Sequence, residues 1–238
     1  LEDSGDAAAL ARVNRASERV NEFVAAKVDA ILREGKVPAL LGGEHSVPFG
    51  AIDACARAHG KIGVLQIDAH MDLRDAFEGF AWSHASIMHN VVSRIPGVTR
   101  LVQVGIRDFG EQEMAMSRDS GGRIVTHYDD DWQERVLEGT KFSTLVAEAL
   151  APLPDKVYVT VDIDGLEPWM CPHTGTPVAG GLTFAQFSLL LEGLKKSGRT
   201  VVGFDLVEAA PGPDGTPEWD ANVAARALYK LCGLVSPR

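Results

Sequence analysis

The chain has 238 residues, of which 45% are hydrophobic and 24% charged, and it carries a net charge of −10. That balance fits one globular α/β domain with ample length to bury a core, and it disfavours nucleic acid as the main partner. No apolar run reaches membrane-spanning length, no signal peptide is visible, and Cys55, Cys171 and Cys232 form no CxxC pair, so neither a membrane span nor a disulfide framework is expected and a reducing cytoplasm is the expected compartment.

Apolar runs alternate with amphipathic stretches along the chain. Spacing predicts a helix over Ala7 to Arg33, with Leu10, Val13, Val20, Phe23, Val24, Val28, Ile31 and Leu32 near helical period and Gly35 as its cap. A strand follows over Val37 to Leu41, then a helix over Pro48 to Ala58. Further strands are read at Ile62 to Ile67, Leu101 to Ile106, Ile124 to Tyr128, Val157 to Ile163 and Val201 to Val207. Further helices are read at Ser86 to Val92, Phe142 to Leu150, Phe184 to Leu194 and Ala221 to Cys232, and a Pro- and Gly-rich loop over Gly165 to Gly181. Six strands alternating with helices predict a three-layer α/β/α fold with a mostly parallel sheet. In such sheets ligands bind beyond the carboxyl ends of the strands.

At those ends the sequence places hard metal ligands. They are His45 in Gly42-Gly43-Glu44-His45-Ser46, then Asp68-Ala69-His70-Met71-Asp72, then Asp162-Ile163-Asp164. Residues two apart in an extended segment point the same way. Each cluster alone is compatible with a solvated turn, and a lone His45 with a capping or core histidine. Together they offer four carboxylates, two imidazoles and no thiolate, a set suited to a pair of hard or borderline divalent ions. Such a pair supplies hydroxide at neutral pH, which makes a hydrolase the expected class.

These segments resemble the ureohydrolases, the family of arginase and agmatinase. The likeness extends through Val161-Asp-Ile-Asp-Gly-Leu-Glu-Pro168, Thr174-Gly-Thr-Pro177, Gly180-Gly-Leu182 and Phe204-Asp-Leu-Val-Glu208, and covers most of the chain from Val37 onward. The resemblance implies an eight-stranded parallel sheet, so that two strands would precede Leu1 and residues 1–238 would form one N-terminally incomplete domain. It also implies two Mn²⁺ ions, with nickel, cobalt or zinc as alternatives. By the family pattern His45, Asp68, Asp72 and Asp162 would hold one ion, and Asp68, His70, Asp162 and Asp164 the other. The family's catalytic histidine falls on His84, with His89 one turn onward as its rival. Its guanidinium-binding glutamate falls on Glu208, its substrate-side threonine on Thr176, and Asp164 would handle a proton. Glu44 and Glu167 stand where aspartate is usual.

The implied reaction cleaves a small cationic guanidino compound to urea and an amine. Arginase-type recognition of an amino-acid head group is missing, since Leu73 to Trp82 lacks the Ser-Gly-Asn pattern and Gly110 replaces an aspartate. Asp72-Leu-Arg-Asp, Glu78-Gly79 and Ser83-His84-Ala85 look like agmatinases, so agmatine is the expected substrate. Asp75 and Glu78 are candidates to meet its ammonium, and Phe77, Phe80 and Trp82 to line an aliphatic channel. Guanidinobutyrase, arginase and other guanidino-acid hydrolases stay open as alternatives. So do a one-zinc deacetylase, whose tyrosine has no clear match in Tyr128, Tyr158 or Tyr229, and a non-catalytic binding scaffold. The family further implies a homotrimer or homohexamer.

Overall fold

The computed structural model describes residues 7–213 and 218–236. Its six strands are β1 (Ala39–Leu41), β2 (Ile62–Ile67), β3 (Val98–Ile106), β4 (Ile124–Tyr128), β5 (Lys156–Asp162) and β6 (Thr200–Val207). All pair in parallel, in the order β1-β6-β5-β2-β3-β4. Each strand read from the sequence is present, with β1 shorter and β3 longer than expected.

Eight α-helices cover the sheet among the described residues: α1 (Ala7–Arg33), α2 (Phe49–His59), α3 (Ile87–Arg94), α4 (Glu111–Arg118), α5 (Asp129–Leu137), α6 (Phe142–Leu150), α7 (Phe184–Lys196) and α8 (Trp219–Val235). One apolar core joins α6, α7 and α8 to one face of the sheet, and a second joins α1, α2 and α3 to the other. Burial from both sides explains why every residue of β2 is buried and why the strands read as apolar runs rather than as alternations. Thr183 fixes the start of α7 through a capping box, its hydroxyl accepting Gln186 N–H at 3.1 Å while Gln186 Oε1 accepts Thr183 N–H at 2.9 Å.

Sequence periodicity misses α4 and α5. Their segments, EQEMAMSR and DDDWQERVL, are polar and bury only Glu113, and Asp129 with Trp132. The signal available was acidic: both carry carboxylates in the first turn, where the helix dipole favours them. Along α1 the span is as expected, but Val13, Val20 and Phe23 stay exposed while Val24 and Val28 are buried.

The strand order creates a crevice. From β2 the chain proceeds to β3 on one side, and from β5 to β6 on the other. The switch point therefore lies between the carboxyl ends of β2 and β5, where Asp68 and Asp162 emerge. The two ends approach so closely that a Cβ on Gly165 would sit 2.7 Å from the Asp68 nitrogen. Gly165→Ala must push that backbone apart, at about 1–3 kcal/mol. A melting curve should show Tm falling by roughly 2–4 °C for each kcal/mol lost; an unchanged Tm would show that the approach is looser than described.

Candidate metal centre

Six side chains from three segments converge at this crevice. His45 follows β1, Asp68, His70 and Asp72 follow β2, and Asp162 and Asp164 sit at the end of β5. All but His70 are buried. His45 Nδ1 lies 2.9 Å from Asp68 Oδ2, 3.0 Å from Asp72 Oδ2 and 3.3 Å from Asp162 Oδ2. His70 Nδ1 lies 3.5 Å from Asp68 Oδ1 and 3.2 Å from Asp164 Oδ2. Two sets of donor atoms result, His45 with Asp68 and Asp162, and Asp68 with His70 and Asp164, the atoms of each set lying within 4.8 Å of one another. Asp68 belongs to both; Asp162 falls in the His45 set alone.

The donor chemistry fits a pair of divalent cations. Four buried carboxylates with neutral imidazoles carry four uncompensated charges, which two divalent ions offset. His45 Nδ1 is buried among three carboxylate oxygens yet makes no hydrogen bond. Without a cation the protons must compensate. Burial pushes the His45 pKa down, but Asp162, Asp68 and Asp72 outweigh it and hold the imidazole well above its ordinary value. Burial likewise opposes the charge on His70, and Asp164 and Asp68 raise it to about 11. Burial and the charge of Asp68 raise Asp72 to about 7. A cation binding here displaces those protons.

A polar row, buried except at its half-buried end Thr126, lies one layer beneath the ligands. Asp205, Thr160, Gln66, Gln103 and Thr126 are in register across β6, β5, β2, β3 and β4. The Thr160 hydroxyl donates to Asp205 Oδ1 at 2.8 Å, so its oxygen accepts from His45 Nε2, 2.9 Å away. That bond puts the proton on Nε2 and turns the Nδ1 lone pair toward the carboxylates. Gln66 Nε2 donates to Asp68 Oδ2 at 2.8 Å, Gln103 Nε2 donates to Gln66 Oε1 at 2.7 Å, and Thr126 Oγ1 donates to Gln103 Oε1 at 2.8 Å. Sequence reading overlooked this row, although a polar residue two positions before Asp68 and before Asp162, inside an apolar strand, is its signature.

A cavity of about 200 Å³ opens beside the ligands, lined by His70, Asp72, Phe77, His84, Asp108 and Thr176 among others. Thr176 Oγ1 donates to Asp164 Oδ2 at 3.2 Å. His84 starts a short 3-10 turn capped by Ser83 and lies 3.9 Å from Glu44. His89, its rival, is not on the cavity wall and faces Asp75 at 3.7 Å. Glu208, just after β6, lies in the left-handed region at φ 59°, and so does Asp72, after β2, at φ 54°. Glu208 Oε1 accepts His45 N–H at 2.9 Å, and burial raises its pKa. It does not line the cavity; its Oε2 faces Gly175, next to Thr176. Asp75 and Glu78, expected at the mouth, are absent from the wall, and Trp82 packs on Phe49 and Arg94 instead. Arg74, Asp108, Phe109 and Glu113 stand there. A larger cleft of about 520 Å³ between α6 and α7 touches none of the ligand-type residues.

The row makes a test. Thr160→Val keeps the volume but leaves His45 Nε2 without an acceptor, and should weaken Mn²⁺ binding about 10–100-fold in a chelator competition. Thr160→Ser should bind as the parent does. Equal affinity in the valine variant would remove the row from any role in the centre.

Known proteins share this architecture. A guanidinobutyrase of Pseudomonas aeruginosa is 32% identical over 207 residues, covering 85% of this chain and 62% of that protein. An agmatinase of Bacillus subtilis is 34% identical over 214 residues, covering 90% of this chain and 69% of that protein. An arginase from Bacillus caldovelox of solved structure matches with a TM-score of 0.78 at 27% identity, over 92% of this chain and 76% of that one. The chain spans less than two thirds of the length of the first curated relatives it matches. The family model described as arginase family matches residues 1–233, and the chain belongs to that family.

Proposed function

We propose that the protein is a metal-dependent ureohydrolase that cleaves a guanidino compound to urea and an amine, with agmatine as substrate. The observation that carries this reading is the sharing of Asp68 between two donor sets beside a cavity that holds His84 and Thr176. His45, Asp68, Asp72 and Asp162 would hold one ion, and Asp68, His70, Asp162 and Asp164 the other, Mn²⁺ being the choice for nitrogen and oxygen donors without sulfur. Bound there, the pair supplies hydroxide at neutral pH and polarises the reacting carbon.

The chain's own groups do the rest. A guanidinium is a poor electrophile, because its charge spreads over three nitrogens, so it must be held in one plane at close range. Glu208 would hold it so although it stands just behind the cavity wall: His45 N–H fixes one carboxylate oxygen, and the other, beside Gly175 next to the wall residue Thr176, is the one that would reach the substrate. Asp164, held by Ala69 N–H and the Thr176 hydroxyl, takes the proton released on attack and returns it to the leaving amine. His84 is half-exposed, and exchanges protons between the cavity and bulk water. Asp108, on the cavity wall, would face the ammonium of agmatine in place of Asp75 and Glu78.

A second reading has its own observation. Arg74 lines the cavity, its Nε 3.5 Å from Glu113 Oε2 and its guanidinium over the Phe77 ring. A guanidinium on the cavity wall favours a carboxylate, which makes 4-guanidinobutyrate the alternative substrate.

Urea release from agmatine, 4-guanidinobutyrate and arginine, with Mn²⁺ added, separates these readings. Agmatine should be turned over best, and Asp108→Asn should raise its KM. Preference for guanidinobutyrate, lost in Arg74→Ala, would select the second reading. No urea from any of them would overturn the proposal. Within the active protein, His84→Ala should keep its metal and lose about 10²–10⁴ in kcat, while His89→Ala stays near the parent; the reverse would exchange their roles.

A further inference from the structure

The loop over residues 165–181 carries Thr176 and begins immediately after Asp164, yet it has little regular structure of its own beyond a short 3-10 turn at Pro168–Met170. Something must hold it against the centre. Its neck is closed by two backbone bonds, Leu182 N–H to Gly165 O at 3.0 Å and Glu167 N–H to Leu182 O at 3.1 Å.

Inside that neck sits Arg107, one residue past β3. Its guanidinium donates to the carbonyls of both arms. On the outgoing arm Nη2 reaches Asp164 O at 2.7 Å and Leu166 O at 3.2 Å. On the returning arm Nη2 reaches Val178 O at 2.9 Å, and Nε reaches Ala179 O at 3.1 Å. Nη1 donates to Gly105 O at 2.9 Å, tying the group to its own strand. Arg107 N–H and Asp108 N–H both bond Ala69 O, within the segment that bears Asp68 and His70. The side-chain donors of Arg107 are thus committed to main-chain carbonyls.

The returning arm is shaped to admit this group. Gly181 has φ +99°, and a Cβ there would lie 2.8 Å from both Arg107 Nη2 and Leu166 O. Its N–H is held by Asp129 Oδ2 at 2.8 Å. A planar fork with five N–H donors can bridge two arms at once; a lysine ammonium, with three donors on one atom, cannot span them.

We propose that Arg107 is a positioning residue, a clasp at the loop neck that keeps Asp164 and Thr176 aligned with His70. This rests on the metal reading given under Proposed function. The clasp acts on one donor set in particular. Asp164 belongs to the set with Asp68 and His70, and Arg107 holds its carbonyl directly, whereas no hydrogen bond joins the Arg107 side chain to His45, Asp72 or Asp162. Removing the clasp should therefore weaken one ion and spare the other, an asymmetry that a general loss of stability does not produce.

The test compares the parent protein with Arg107→Lys and Gly181→Ala, the second crowding both the guanidinium and its acceptor Leu166 O without removing either. Mn²⁺ binding is followed by electron paramagnetic resonance, and hydrogen exchange is measured on metal-free protein. In both variants one ion should bind as in the parent and the other about 10–100-fold more weakly. Peptides across residues 164–182 should exchange faster, while those across β2 and β6 keep their protection. Parent-like binding and protection in Arg107→Lys would overturn the clasp, as would equal weakening of both ions with loss of protection in the sheet. If Arg107→Lys does not fold, Gly181→Ala decides by the same readouts. A parent protein that binds no ion pair would sink the metal reading, and hydrogen exchange alone would then judge the clasp.

Discussion

Everything at the crevice follows from one electrostatic constraint: the buried carboxylate of Asp68 sits among other carboxylates and needs cations to remain charged. A lone aspartate removed from water is costly, and Asp72, Asp162 and Asp164 around it make the cost larger unless positive charge is supplied. In the protein alone that charge comes from His45 and His70. Two divalent ions would replace the protons and satisfy all four aspartates at once. The fold makes the arrangement possible, because a parallel sheet that reverses its winding leaves the ends of β2 and β5 side by side.

The sheet does more than deliver ligands. Beneath them a line of Asp205, Thr160, Gln66, Gln103 and Thr126 crosses five strands through an otherwise apolar core. Buried polar groups are tolerated when they find partners; here two of the partners are the ligands themselves, His45 and Asp68, and Asp205 Oδ2 alone in the row is left without one. Positive φ at Asp72 and Glu208, both non-glycine, marks two more places where the backbone departs from its easiest conformations beside the site. The centre is thus held from below by strands, and from above by the loop that Arg107 grips.

Much of this was legible in the amino-acid order. The six strands read as apolar runs because both faces of the sheet are covered, and the ligand clusters stood out because they break those runs at the ends. Alternation in Asp68-Ala69-His70-Met71-Asp72 foretold the convergence of acidic and imidazole groups. What stayed hidden depended on partners far away in the chain. α4 and α5 have no apolar stripe to announce them. Asp75 and Glu78 had the right charge for the cavity mouth but the wrong place, since that mouth is built by Arg74, Asp108 and Glu113, which only the folded chain brings together. No sequence pattern singles out Arg107, because its acceptors are main-chain carbonyls that carry no side-chain signature.

In the proposed centre Asp68 stands between two cations. Crystals grown with Mn²⁺ and measured at the manganese absorption edge test it most directly. A pair of anomalous peaks should flank the Asp68 carboxylate, one beside His45 Nδ1 and the other beside His70 Nδ1. A single peak, or peaks away from Asp68, would contradict it.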